Sequence, residues 1–468
     1  MKFKGLLCPI FSLPNNFGIG DFGKEAFFFV DILKDNGFNA WQLLPLNPIS
    51  YGNSPYQPFS SYAFEELYLD VKDLEKKGLL VGFSTNFSKD NDVRIDYNKV
   101  KIIKHTIYQF AFKNYIEKFG FKELDKFLKC NEKIKQFAEF MAFKDKNDQL
   151  PFLNWKDTKY DDEFSYFYYY HAFLQKILLE QYLKLKKYAN SKGIKLIGDI
   201  PFYVGLDSSD VYFNKKYFLL NKNNTAKYIA GVAPDYFSKT GQRWGNPIYN
   251  FKTLKEDNYA FLIDRIVYAS KMYDIVRLDH FRAFDTYYKI KGTEPTAEHG
   301  KWVKGPGSDF FETLYKQKPN IKLIAEDLGD VTPGVFKLRD KYDLPGMNIL
   351  EFNMFTLIRK KMCFKRNTIT YIGTHDNDTL VGWYNSLNDY DKHILLEYFR
   401  SNETNIFKDM IKYLFKEYSY PILSITDILY LPSEYRINYP STLNESNWSL
   451  KQKDFNILIK NLQELNND

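Results

Sequence analysis

The sequence predicts an α/β protein built on a (β/α)8 TIM barrel, and three observations predict it. Eight short apolar runs, at 38–46, 67–71, 194–200, 273–278, 321–325, 347–352, 369–372 and 422–428, alternate with polar stretches and helical patterns. Such alternation marks parallel, mostly buried strands. The 468 residues exceed the roughly 250 that a barrel needs and leave roughly 200 for insertions. Acidic residues also gather where the runs end, and in this fold the carboxyl ends of strands form the site.

Taken in order, the chain first presents GIGDFG at 18–23, a match to the G-x-G-x-x-G pattern that cradles pyrophosphates. That chemistry needs a preceding strand, whereas SLPNNF at 12–17 reads as turn. An apolar helix at 24–36 follows, ends at Gly37 and leads into the run 38–46, with Asp21 predicted as its N-cap. The motif therefore predicts a tight loop rather than a nucleotide site. The gap 72–190 is rich in Lys-Phe-Leu helical periodicity and predicts a mainly helical insertion subdomain. The gap 201–272 predicts a second insertion with an active-site loop, its stretches 231–235 and 241–247 reading as loop. Residues 1–468 are expected to form a single catalytic barrel without a separate C-terminal β-sandwich domain.

Composition narrows the function classes. Hydrophobic residues make up 44% and charged residues 26%, ordinary for a globular protein. The 37 Tyr and 42 Phe suit stacking on sugars or bases, although coding bias explains most of them. A formal charge of +7 without a basic arm gives nucleic-acid binding no support. The start, MKFKGLLCPIF, is too short and too interrupted by proline for a signal peptide or membrane span. Three separated cysteines point to a reducing compartment, so a cytoplasmic location is expected.

The strand ends carry the chemistry. GDIP closes the third run, RLDHFR (277–282) follows the fourth, AEDLG (325–329) the fifth and GTHDND (373–378) the seventh. Strand alternation places Arg277 and Asp279 on one face, where the guanidinium is expected to keep Asp279 ionised. Glu326 has no adjacent Lys or Arg, which predicts a raised pKa suited to proton transfer. Asp376 is expected across the barrel, two strands on. Three carboxylates so placed fit glycoside chemistry: nucleophile, proton donor and a helper gripping sugar hydroxyls. His280 and His375 adjoin the acids, and hydrogen bonding to sugar is their simpler role. DNDTLV at 376–381 lacks the glycine and ligands of a calcium loop, and no Cys pair or His-x-x-x-His accompanies it. No metal and no cofactor are expected. No Gly-x-Ser-x-Gly elbow supports a serine hydrolase.

Longer motifs recur in an order that resembles one family. They are KGLL (4–7), SLP (12–14), WQLLPL (41–46), YGNSPYQ (51–57), PDYFS (234–238), TGQRWGNP (240–247), GKWVKGPG (300–307) and the residues Ser433, Glu434, Arg436, Asn438 to Pro440 and Ser446 to Trp448. The chain resembles the 4-α-glucanotransferases, or amylomaltases, of the α-amylase clan. That resemblance implies a nucleophile at Asp279, a general acid/base at Glu326 and a transition-state stabiliser at Asp376. It implies companions at Arg277, His280 and His375, a mobile loop bearing Asp235, Gln242 and Trp244, and a groove lined by Tyr51, Ser54, Tyr56 and Asn447. Its partners would be maltooligosaccharides and α-1,4-glucans, acted on by a monomer or weak homodimer. FNMF at 352–355 and FEE at 64–66 depart from the family pattern. An α-amylase-like hydrolase, an inactive glycan-binding protein and a nucleotide-sugar transferase remain the alternatives.

Overall fold

The computed structural model describes residues 3–85, 87, 90–234, 238–360 and 367–466. Twelve strands occur among them: β1 (Gly5–Leu7), β2 (Ala40–Gln42), β3 (Lys195–Ile200), β4 (Tyr228–Val232), β5 (Gln242–Pro247), β6 (Ile275–Leu278), β7 (Thr286–Lys291), β8 (Lys301–Lys304), β9 (Leu323–Ala325), β10 (Gly346–Ile349), β11 (Thr368–Tyr371) and β12 (Pro421–Ser424). Eight of them form one sheet in the order β10-β11-β12-β1-β2-β3-β6-β9, with every resolved pairing parallel. Ala325 N–H donates to Pro345 O across the remaining seam (2.8 Å), and the sheet is a (β/α)8 barrel. Its strands are apolar on both faces because the interior and the helical coat both exclude water; Leu6, Trp41, Leu196, Ile197 and Ile422 are wholly buried.

Three strand predictions need correcting; the run 422–428 is strand only to Ser424, where the helix Ile425–Ile428 begins. Residues 67–71 form no strand: Glu66–Tyr68 is a 3-10 turn and a helix starts at Val71. A short apolar run cannot distinguish a buried strand from a buried turn. The first barrel strand is instead β1, three residues long, which pairs with β12 on one side and β2 on the other. The run 38–46 thus holds the second strand. The run 347–352 ends as strand at Ile349, where the helix Leu350–Lys360 begins.

GIGDFG lies between β1 and the helix Lys24–Asp35, so a strand does precede it, with ten residues (8–17) between. Gly18 has φ +88°, and a Cβ on Gly20 would stand 2.0 Å from Ile10 O; the glycines serve a tight, close-packed loop. Asp21 is not the N-cap. Gly23 holds that position, while buried Asp21 accepts from Gly23 N–H (3.0 Å) and Asn15 Nδ2 (2.8 Å) and faces buried Lys104 Nζ (3.6 Å).

Between β2 and β3 the longer helices are Tyr97–Phe119, Lys122–Cys130, Glu132–Lys146 and Asp162–Ser191. Between β3 and β6 the stretch 241–247, read as loop, is strand β5 over Gln242–Pro247. With β4, β7 and β8 it forms an antiparallel sheet in the order β5-β4-β7-β8. Glycine and half-exposed polar residues hide these strands from a hydrophobicity pattern. Among the described residues no helix is long and apolar enough to cross a membrane.

Candidate active site

The parallel register assembles the site. Asp199 on β3 stands directly opposite Arg277 on β6, and Leu278 stands opposite Ala325 on β9. One residue further, Asp279 and Glu326 leave neighbouring strand ends together. Asp279 N–H donates to Ile200 O (3.2 Å) and Glu326 N–H to Leu278 O (3.1 Å), which fixes both backbones.

Arg277 is buried and divides its charge. Its Nη1 donates to Asp199 Oδ2 at 2.5 Å and to Asp279 Oδ1 at 3.1 Å. Asp199 also accepts from Tyr56 Oη (2.8 Å). The Tyr56 hydroxyl lies 2.9 Å from His375 Nε2, and the two rings stack at 5.3 Å. With the tyrosine proton committed to Asp199, His375 Nε2–H is left to bridge Tyr56 and Asp376, whose Oδ2 is 3.3 Å away. Asn438 Nδ2 donates to Asp376 Oδ1 (2.7 Å). The network thus runs from β3 to the loop after β11.

Glu326 is held by main-chain donors, His280 N–H at 2.8 Å and Leu328 N–H at 3.2 Å. His280 has φ +51°, a strained value for a side chain bearing Cβ and one found at functional sites. Its ring meets Trp244 edge to face at 4.8 Å. Gln242 Oε1 accepts from Trp244 Nε1 (3.1 Å), and Gln57 Nε2 ties the Trp244 carbonyl to the segment bearing Tyr56 (3.0 Å).

Electrostatics separate the acids. Burial raises Glu326 to about 8, with Arg277 opposing and Asp279 reinforcing the rise. Burial also raises Asp279 to about 7, where Arg277 lowers it and Asp199 and Asp376 raise it. The expectation that Arg277 keeps Asp279 low is therefore corrected: burial, with the charges of Asp199 and Asp376, outweighs a guanidinium that sits closer to Asp199. Asp376 goes the other way. Burial opposes its ionisation, but His375, Asn438 and Arg277 outweigh that and hold it at about 2. Its side chain is 48% exposed, against 27% for Asp279, so both acids face the open cleft. Burial, aided by Arg282, lowers His280 to about 4 and keeps its ring neutral.

The remaining predicted residues are placed unequally. Tyr51 stands on the rim, 69% exposed. Ser54 Oγ accepts from Tyr56 N–H (3.3 Å), orienting that residue. The Asn447 amide braces its own loop, accepting from Tyr439 N–H (3.0 Å) and donating to Thr442 O (3.0 Å). That loop carries Asn438, whose N–H donates to His375 O (3.2 Å). Asp235 lies outside the described residues. Two residues escaped sequence reasoning. Asp199 ends an apolar run as the other acids do, yet its link to Arg277 depends on register. Asn438 lay inside a quoted motif with no role attached. Among the described residues, no group of three or more His, Cys, Asp or Glu could hold a metal.

Two carboxyls whose protons burial retains and a third held ionised, at the mouth of a parallel barrel and flanked by aromatic rings, define a carbohydrate-active barrel of the glycoside-cleaving type. Comparison with known proteins narrows the class. A family model for glycoside hydrolase family 77, described as 4-alpha-glucanotransferase, matches residues 8–456. The 4-alpha-glucanotransferase of Streptococcus pneumoniae is 37% identical over 471 aligned residues, spanning 96% of this chain and 93% of that one. That of Thermus thermophilus is 34% identical, spanning 95% and 93%. The solved amylomaltase from Streptococcus agalactiae in complex with acarbose superposes with a TM-score of 0.93 at 33% identity, covering 99% of this chain and 98% of its own. The chain belongs to the 4-alpha-glucanotransferase family and is an enzyme of that family.

Proposed function

We propose that the chain moves a segment of an α-1,4-glucan from a donor maltodextrin to the 4-hydroxyl of glucose or another glucan, by a retaining double displacement. The carrying observation is the in-register pair Asp279 and Glu326, one beside Arg277 and the other on two main-chain N–H groups. Ionised Asp279 attacks the anomeric carbon while protonated Glu326 gives its proton to the departing 4-oxygen. The glucanosyl group is then bound covalently to Asp279, and Glu326 is a carboxylate. It takes the proton of an entering 4-hydroxyl, whose oxygen attacks the anomeric carbon and releases Asp279. Asp376, held ionised by His375 and Asn438, binds sugar hydroxyls as charge develops at the ring.

Arg277, His375 and Tyr56 orient the acids and neutral His280 bonds the sugar hydroxyls, while Trp244 and Tyr51 supply faces for the sugar to stack on. Gln242, Ser54 and Asn447 position those groups. Transfer in place of hydrolysis requires that water be kept from the covalent intermediate, and the aromatic wall of Tyr56 and Trp244 favours a sugar acceptor there. We read residues 1–468 as one catalytic barrel, with 72–190 as a helical subdomain and 201–272 as the insertion carrying the active-site loop.

Incubation with maltotriose tests the reading. Glucose and longer dextrins are expected with the total of reducing ends nearly constant. A steady rise in reducing ends identifies an α-amylase-like hydrolase instead.

A further inference from the structure

Two buried carboxyls that the mechanism leaves idle flank the root of the loop bearing His375 and Asp376. Glu351 lies in the first turn of the helix after β10, and its N–H donates to Ile372 O (3.2 Å), extending the β10–β11 ladder past its last strand pair. Asp427 lies on the short helix after β12, and its Oδ1 accepts from Leu380 N–H (2.9 Å), just beyond the loop. Gly373 leads from β11 into the loop, and β11 lies between β10 and β12. A Cβ on Gly373 would stand 2.5 Å from Glu351 Oε1 and 3.0 Å from Asp378 O, so only glycine lets the carboxyl and the carbonyl close on the same flank. At the loop's far end Asp378 accepts from Thr379 N–H (2.8 Å) and Ser433 Oγ–H (3.0 Å).

The surroundings decide the charge state of Glu351. Its side chain is buried, and its Oε1 is sealed from water with no donor among the described residues. The charged groups that face it are Asp427, Asp378 and Arg436. The first two share its sign. The Arg436 guanidinium is committed to the main-chain oxygens of Asp376 (2.8 Å) and Asn438 (3.3 Å). A carboxylate here would hold an unbonded oxygen out of water beside like charges, and both are costly. A protonated carboxyl removes the charge and supplies a donor, and the Asp378 carbonyl on the same flank of Gly373 is an acceptor for it. Burial and the two acids accordingly raise the proton affinity of Glu351 well above the carboxylate range, with Arg436 opposing. Burial also raises Asp427, to about 7, but donors from Leu380, Thr426, Ser424 and Gly373 oppose that rise, so Asp427 ionises before Glu351.

We propose that Glu351 is a positioning residue for Asp376: as a neutral carboxylic acid it fastens Gly373 and the Asp378 carbonyl, and so fixes the loop from which His375 and Asp376 reach the cleft. The consequence for rate rests on the role given to Asp376 above; the charge state of Glu351 does not.

Thermal unfolding and steady-state kinetics of the full chain test the two parts. An acid whose proton affinity rises on folding contributes less stability as pH climbs from its unfolded pKa, about 4.3, toward its folded one, because the unfolded chain has already released the proton. Glu351→Gln stays neutral and escapes that loss. Its melting temperature is expected to gain on the parent's between pH 5 and pH 8, by roughly 1 °C per pH unit for a chain of this length. Glu351→Ala removes the donor and is expected to lower kcat about 10- to 100-fold, the scale of a small misplacement near the reacting atoms, with KM changed less. Glu351→Gln, which keeps a neutral donor, restores most of that rate. Rate is read as donor maltodextrin consumed, so an enzyme that hydrolyses in place of transferring leaves the test intact. If Glu351→Ala does not fold, the glutamine variant still decides. A glutamine variant that melts below the parent at pH 8 identifies an ionised, paired Glu351 and overturns the proposal. So does a glutamine variant as slow as the alanine one, or an alanine variant with undiminished kcat.

Discussion

Glu326 and Asp327 are consecutive carboxylates at the end of β9, yet they serve two regions of different character. Glu326 faces the barrel mouth, is held by two main-chain donors and has its proton retained by burial to about 8. Asp327 faces the seam between β9 and β10, where it accepts from Met347 N–H (2.7 Å) and from Arg339 Nη1. The mouth leaves polar atoms unspent: Asp199 Oδ1, Arg277 Nε and His375 Nδ1 are buried without a partner among the described residues. Both oxygens of Asp327 are bonded. A scaffold ion pair is satisfied to hold strands together, whereas a site tolerates unspent polar atoms beneath its reacting groups, at a cost in stability.

Substitution at the two neighbours separates the roles most sharply. Glu326→Gln is expected to lower the rate of transfer about 10²–10⁴-fold, the usual worth of a general acid/base, with the melting temperature near that of the parent. Asp327→Asn should do the reverse, costing about 1–3 kcal/mol because Arg339 keeps Asp340 but loses its charged partner at the seam, while activity per folded molecule is nearly retained. Steady-state kinetics beside thermal unfolding check both, and equal losses in the two assays for either variant would erase the contrast.

Much of the mouth was legible because its acids terminate apolar runs, where a polar residue has no packing reason to be. Arg277, Asp279, Glu326 and Asp376 stand out that way. Register was not legible. Asp199 meets Arg277 only because β3 and β6 align those two residues, and burial together with the neighbouring carboxylates reversed the expected direction of Asp279. The fold class was likewise readable while two details were not. Three residues of β1 are too few to show a period, and the buried turn at 66–68 imitates a strand. The antiparallel sheet behind Trp244 uses Gly231, Gly245 and lysine-bearing strands, a composition that signals loop.

The shared guanidinium predicts a pH effect with a definite sign. Free-enzyme activity requires Asp279 ionised and Glu326 protonated, so the profile of kcat/KM should be narrow, bounded near the values of about 7 and about 8. Asp199 raises Asp279 and also draws on Arg277. Asp199→Asn removes both influences, lowers the Asp279 pKa and should move the acidic limb to lower pH. A limb that stays or moves upward contradicts the electrostatic account. A smaller effect is expected at the aromatic wall. Trp244→Ala should raise KM for maltodextrin by up to about tenfold, in line with one lost aromatic contact, with kcat changed less.

The most direct test of the central claim is to trap the covalent glucanosyl group. A fluorinated maltosyl fluoride, whose good leaving group dispenses with proton donation, is incubated with Glu326→Gln so that the intermediate persists. Peptide mass mapping then locates the added sugar. Label on the peptide containing Asp279, absent when Asp279→Asn is also introduced, is the predicted result. Label on another carboxylate, or turnover with no label under conditions where the fluoride is consumed, contradicts it.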